Sequence, residues 1–272
     1  MGESSGGPVY KGLGRVPDQV LLLFAAFIYL FLYAPILVLV FFSFNSTRST
    51  QVWTGFSLEW YGVLLSDQSI LEAFRISIIV GVTATAIATV IGTLTALALT
   101  RYRFRGKTFA DSAIYAATVM PEIVVGVSLL VFFVAAGLQL GITTIIIAHV
   151  AFTISFVTIV VRARLSGMDQ SVEEAAQDLG ANPIQTFLRV TLPLILPGVM
   201  AGALLAFTLS FDDFVITFFV AGVGSSTLPL KIYSMIRFGL SPAINALSTV
   251  VLVVTMILIF GGSRIFMKKE NA

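Results

Sequence analysis

Hydrophobic residues along this chain arrive in long blocks separated by short polar stretches, and the blocks have the length of membrane-crossing helices. A hydrocarbon core about 30 Å thick needs about 20 apolar residues per helix. Such runs extend from about Val20 to Phe42, Ile76 to Leu99, Ser112 to Val161, Leu196 to Val220 and Asn245 to Phe266. The third run is long enough for two crossings, and "AAGLQLGI" (Ala135–Ile142) divides it at a tight turn. The pattern predicts an all-α polytopic membrane protein, with six transmembrane helices in residues 20–266 and tails at 1–19 and 267–272. The first run exceeds the apolar core of a secretory signal, about 7–15 residues, so it reads as a retained span.

Composition agrees. Hydrophobic residues make up 57% of the chain and charged ones 11%, against about 25% charged in soluble domains, and mean hydropathy is +0.99. The absence of cysteine excludes thiol and thiolate–metal chemistry. A formal charge of +2 gives no argument for nucleic-acid binding. Charge placement says more than charge total. With six spans both termini share a side, and of the 16 Lys and Arg only Arg48, Arg75, Lys231 and Arg237 fall on the other. Basic residues accumulate on the cytoplasmic side, so both termini are expected in the cytoplasm.

The longest polar insertion on that side is the loop at 162–193, "RARLSGMDQSVEEAAQDLGANPIQTFLRVTLP". Ser171 with Glu174 reads as a capping box, and Gly180 suits the left-handed position that closes the short helix after it. Asn182, Pro183 and Gln185 read as the cap of a second helix. Pro193 and Pro197 mark the entry into span five. A solvated loop helix would account for the composition alone. The spacing goes further: Glu174-Ala175-Ala176, then Gly180, then Val190-Thr191-Leu192-Pro193. It resembles the EAA loop of permease subunits in bacterial ATP-binding-cassette importers. That resemblance implies a coupling helix docked in a groove of an ATPase subunit. Ala175 and Ala176 would permit close approach there, Glu173, Glu174 and Asp178 would offer charge at the rim, and Gly180 would set the interhelical angle.

No nucleotide-cradling loop is present: Gly106-Lys107-Thr108 has Arg101 where a phosphate loop needs its first glycine. The chain is therefore expected to be no enzyme and to need no cofactor, with ATP hydrolysis in a separate subunit. His149, the single histidine, lies in span four without a partner of metal-binding spacing, and reads as a hydrogen-bonding or packing residue.

Three carboxylates fall inside the spans: Glu122, Asp212 and Asp213. Ionisable residues at that depth face a bundle interior or an aqueous cavity. At about 1.5 Å per residue, Glu122 lies about 15 Å into span three and Asp213 about 22 Å into span five. Pro121 should weaken or kink span three there. On an unbroken helix Asp213 shares a small, polar stripe with Gly202, Ala206, Ser210 and Thr217, while Asp212 sides with Leu205, Thr208 and Phe219. Glu122 shares a stripe with Thr118 and Gly126. This favours Asp213 for the pathway, with Asp212 flanking it; polar glue between packed helices is the alternative.

Further stretches, "YAPILVLVFFSFN", "MPEIVVGVSLL", "SFDDFVITFF" and "LPLKIYSMIRFGLSPAINALST", are similar to the spermidine/putrescine permease group, and to its C-type member. The resemblance covers nearly all of spans one to six, leaves the N-terminal tail unmatched, and implies a heterodimer with a second permease subunit. It also implies two ATPase subunits, an external substrate-binding protein and a place in the bacterial inner membrane. Polyamine members carry Glu after the Ser-Pro of the last stretch, where this chain has Ala243. The group also includes importers of opines and aminophosphonates, and a proton-coupled carrier using Glu122 and Asp213 as a relay is the reading from another class.

Overall fold

A computed structural model describes residues 18–47, 52–239 and 241–270, and their architecture is helical throughout, with one isolated bridge between Asn45 and Phe56. In chain order the helices are α1 (Asp18–Phe42), α2 (Glu59–Ser66), α3 (Gln68–Arg101), α4 (Lys107–Val119), α5 (Glu122–Ala135) and α6 (Ile142–Ser166). Then follow α7 (Ser171–Asp178), α8 (Pro183–Thr186), a π-turn (Phe187–Thr191), α9 (Leu192–Asp212), α10 (Val215–Val220), α11 (Leu228–Phe238) and α12 (Pro242–Glu270). Of the basic residues used for topology, Lys11, Arg15 and Arg48 lie outside the described residues.

Helices occupy all six expected spans, but two are built differently. The third is divided into α4 and α5, bent by 111° at Met120-Pro121. Pro121 cannot donate a backbone hydrogen bond and pushes Met120 into extended backbone (ψ 133), so a break replaces the expected kink. The fifth ends at Asp212, eight residues before the expected Val220, and resumes as the short α10. At its other end this span runs back through the π-turn to Pro183, giving one helix of 30 residues. At the π-turn the Leu192 N–H reaches the Phe187 carbonyl, one residue beyond the α-helical partner.

Three long helices, α3, α6 and α9, form the centre. Small residues let them approach. A Cβ at Gly92 of α3 would stand 2.8 Å from the Val157 Cβ and 3.1 Å from the Ile154 carbonyl of α6. Gly202 of α9 faces the Val157 backbone from the other side. Around them Ala88, Ala96, Val161, Leu165, Ile195 and Ala206 make a buried apolar cluster. Without a hydrophobic force between helices in lipid, such close packing is what holds them together. α1 lies outside this centre and buries none of its apolar window within the chain.

Asp67 caps α3 at its N-terminal end, accepting from the N–H groups of Ser69 and Ile70. The Ser69 hydroxyl above all, then the two backbone amides, hold its carboxyl below the usual carboxylate range against partial burial. α2 and α11, both outside the expected spans, pack here. The Trp60 indole N–H donates to the Asn45 carbonyl, and the Leu228 N–H donates to the Ser77 hydroxyl of α3.

Candidate functional site: a broken-helix acidic cluster and a two-helix polar loop

The break after α9 is made by Asp213. Its backbone turns extended (ψ 122), and its carboxylate accepts the free N–H groups that begin α10: Ile216 to Oδ1 at 3.2 Å, Thr217 to Oδ2 at 2.8 Å. The Thr217 hydroxyl donates to the same Oδ2 at 2.8 Å. From α6, His149 places Nε2 3.2 Å from Asp213 Oδ2 and 3.0 Å from Thr217 Oγ1, and Nδ1 2.7 Å from Ser210 Oγ. Thr217 spends its proton on Asp213, so Nε2 supplies the hydrogen on its own side. The Asp213 side chain is 3% exposed and that of His149 1%.

Asp212 faces elsewhere. It is exposed, and lines a groove of about 390 Å³ with Phe207, Thr208, Phe211, Ser248 and Thr255. A contiguous hollow of about 250 Å³ sets Asp212 beside Phe214 and Tyr233, whose ring centroids are 4.6 Å apart.

The small, polar stripe of the helical wheel stays together across the break. Gly202, Ala206, Ser210, Asp213 and Thr217 are all buried, packed toward the neighbouring helices. The wheel assumed an unbroken helix; with the break, Phe219 leaves the Asp212 face and packs on Gly126 of α5. The bend before α5 likewise separates Glu122 from Thr118. Glu122 opens α5, where a carboxylate suits the positive end of the helix dipole. One turn later Gly126 meets Ile216 and Phe219 of α10, and this contact brings Glu122 within electrostatic reach of both Asp213 and Asp212. All three carboxylates chosen from the sequence therefore share one region, at two helix breaks.

At the opposite end of the long α9 helix stands the loop at 162–193. Gly180 has φ +91, and the Ala181 N–H reaches the Ala176 carbonyl while the Gly180 N–H reaches that of Gln177. This closes α7 as expected. The Asn182–Gln185 box is formed on both sides, at 2.9 and 3.1 Å. The Ser171–Glu174 box is not. Asp169 accepts the Ser171 N–H at 3.0 Å, so Ser171 is already helical and needs no cap of its own. That bond, with the Ser171 hydroxyl, holds the Asp169 carboxyl below its usual range.

Glu173 and Glu174 separate. Glu173 turns into the chain: Oε2 lies 3.0 Å from Arg101 Nε at the end of α3, and Oε1 accepts the Thr191 hydroxyl of the π-turn at 2.7 Å. Glu174, Ala175 and Asp178 are exposed and Ala176 half-buried. Leu179 and Ile184 stand out beside them, 90% and 71% exposed. Nearby, Arg162 of α6 pairs with Asp111 of α4.

Sequence reasoning passed over His149, Arg101 and Thr191 as members of these sites. A lone histidine in an apolar span was itself the signal for a buried polar partner. Asp213 followed three and four residues later by Ile216 and Thr217 was the spacing of an N-terminal cap. Arg101 and Thr191 gave no signal beyond a basic loop and the motif's own threonine.

A helical membrane domain of this build, with a two-helix polar loop before the second-last span, is that of an importer's membrane subunit. Residues 88–268 match the family described as binding-protein-dependent transport system inner membrane component, and the chain belongs to that family. It is 43% identical over 248 residues to the spermidine/putrescine transport system permease protein PotC of Escherichia coli strain K12, covering 91% of this chain and 94% of that one. To the putrescine transport system permease protein PotI of the same strain it is 44% identical over 245 residues, covering 88% and 86%. Among solved structures, a bacterial ABC transporter that imports the acidic polysaccharide alginate matches with TM-score 0.71 at 18% identity, over 96% of this chain and 99% of that one. The MetNI methionine ABC transporter matches with TM-score 0.62, also at 18% identity, over 78% and 98%. These structures share the fold. The chain is a transmembrane permease subunit of an ATP-binding-cassette importer.

Proposed function

We propose that this subunit forms half of a translocation pathway for a small organic cation of the polyamine type. One observation carries the reading: Glu122, Asp212 and Asp213 converge at two helix breaks inside an otherwise apolar domain. In a low-dielectric cavity a carboxylate attracts an ammonium far more strongly than in water. Phe214 and Tyr233 beside Asp212 add ring faces that favour the same charge. In this reading Asp212 and Glu122 meet the passing cation, and Asp213 keeps the wall between them in shape. The names of the E. coli relatives agree with such a substrate.

The loop at 162–193 joins this pathway to an ATPase subunit. Glu174, Ala175, Ala176 and Asp178 face outward for that contact, while Gly180 fixes the turn and Glu173 ties α7 to the membrane helices. The working unit pairs this chain with a second permease subunit, two ATPase subunits and an external binding protein. Both termini lie in the cytoplasm, with residues 20–266 as the membrane domain between two short tails.

Ala243 favours a second reading within the same class, a zwitterionic amine such as an opine or aminophosphonate. Here an apolar side chain, packed against the cluster of Trp60, Leu64 and Leu247, stands where polyamine members carry a charge. Uptake of labelled spermidine and putrescine by the full complex in proteoliposomes, with ATP inside, tests the proposal. Competition by polyamines supports it, and competition only by zwitterionic amines selects the second reading. Uptake by this chain alone, driven by a pH gradient, overturns both.

A further inference from the structure

His149 has no part in the pathway just described, yet it is among the most buried polar side chains of the chain, at 1% exposure. Its bonds lie on both sides of the α9–α10 break. Nδ1 meets Ser210, two residues before Asp212; Nε2 meets Asp213 in the break and Thr217 beyond it. A side chain that only glued α6 to α9 would need one of these contacts. Having them on both sides fixes the angle at which α10 leaves α9.

That angle has a consequence at a distance. α10 carries Ile216 and Phe219, which seat Gly126 of α5, and Glu122 stands one turn before Gly126. α9 carries Asp212. We infer that His149 is a positioning residue for transport: by pinning Ser210, Asp213 and Thr217 to α6 it sets the separation of the two open carboxylates, Glu122 and Asp212, and so the spacing of positive charge that the pathway accepts. The imidazole suits this task because it carries a hydrogen-bonding nitrogen on each edge of a rigid ring. The inference rests on the cation reading for its functional half; the pin itself does not.

The test uses the full complex with its ATPase and binding-protein partners. For His149→Ala, the concentration of cation-loaded binding protein giving half-maximal uptake rises about tenfold, the equivalent of one lost hydrogen bond to a charged group. Maximal ATPase activity and the yield of assembled complex change less than twofold. His149→Gln, which keeps a donor and an acceptor, recovers at least half of that loss. Since the chain has no cysteine, spin labels at Val127→Cys on α5 and Leu205→Cys on α9 report the separation directly. A single narrow distance in the parent broadens in His149→Ala and narrows again in His149→Gln. Should His149→Ala not assemble, Thr217→Val removes one arm and is held to the same broadening. An unchanged distance distribution overturns the inference, as does a loss of maximal rate with unchanged half-saturation. If polyamines prove not to be the cargo, the distance measurement still decides on the pin.

Discussion

Two pairs of adjacent carboxylates, Glu173-Glu174 in the loop at 162–193 and Asp212-Asp213 at the broken helix, share a division of labour. In each, one member is tied inward, Glu173 to Arg101 and Thr191, Asp213 to His149 and Thr217. The other member, Glu174 or Asp212, is exposed. On α7 the cause is the helix, whose neighbouring residues point about 100° apart; at Asp212-Asp213 it is the break, which turns Asp213 out of the helix into extended backbone. The pairs differ in what the inward member is for. Glu173 shares its two bonds with groups on α3 and the π-turn, and is half-buried. Asp213 is buried, accepts every donor within reach and creates the break it sits in. A doublet thus supplies both a fixture and a free charge.

The comparison is broken most severely at Asp213. Asp213→Ala leaves His149 and the first amides of α10 without an acceptor inside the membrane. Each buried donor left without an acceptor costs about 1–3 kcal/mol. Recovery of assembled complex in detergent should fall steeply, whereas Asp213→Asn, which keeps one acceptor oxygen, should assemble and transport more slowly. Asp212→Asn tests the free partner: assembly is unchanged and polyamine uptake drops at least about tenfold, a loss of about 1.4 kcal/mol of binding.

At the polar loop the order of effects is reversed. Glu174→Lys should abolish copurification of the ATPase subunit while leaving the melting temperature of this chain in place. Glu173→Gln should cost about 1 kcal/mol for the weakened bonds to Arg101 and Thr191. ATPase still binds, but transport per ATP hydrolysed falls, and Arg101→Gln reproduces the effect without adding to it. Parallel measurement of uptake and hydrolysis checks both.

The smallest effect belongs to Asp67, a carboxylate bonded only to its own helix start. Asp67→Ala should cost about 1 kcal/mol. Its carboxyl is held low, chiefly by Ser69. The stabilisation is therefore full above the ordinary carboxylate value of about 4 and is lost as pH falls through the depressed one. The melting difference between Asp67→Ala and the parent should be constant near neutrality and vanish in acid.

Local chemistry made much of this legible from residues alone. Gly180 and the Asn182–Gln185 box depend on a few neighbours, so their spacing sufficed. The spans followed from hydropathy, which needs no partners at all. The breaks were harder. Pro121 announced a disturbance, but the 111° bend belongs to α5 docking on α10, a contact between residues almost a hundred positions apart. Asp213 interrupts its helix without glycine or proline, through bonds to a histidine 64 positions earlier in the chain, and a helical wheel that groups it with Ser210 and Thr217 says nothing of the break between them. Glu173 looked like its neighbour Glu174 until Arg101 and Thr191 were brought beside it.

The 30-residue helix from Pro183 to Asp212 is a rod with its foot in the polar loop at one end and a charge at the other. Such a rod is about 45 Å long, so a tilt of about 10° about its foot sweeps the far tip through about 8 Å. That stroke exceeds the length of an ammonium–carboxylate contact, about 3 Å. If the foot docks an ATPase subunit and Asp212 meets the cargo, as proposed, a tilt of about 10° there carries Asp212 farther than that contact can stretch.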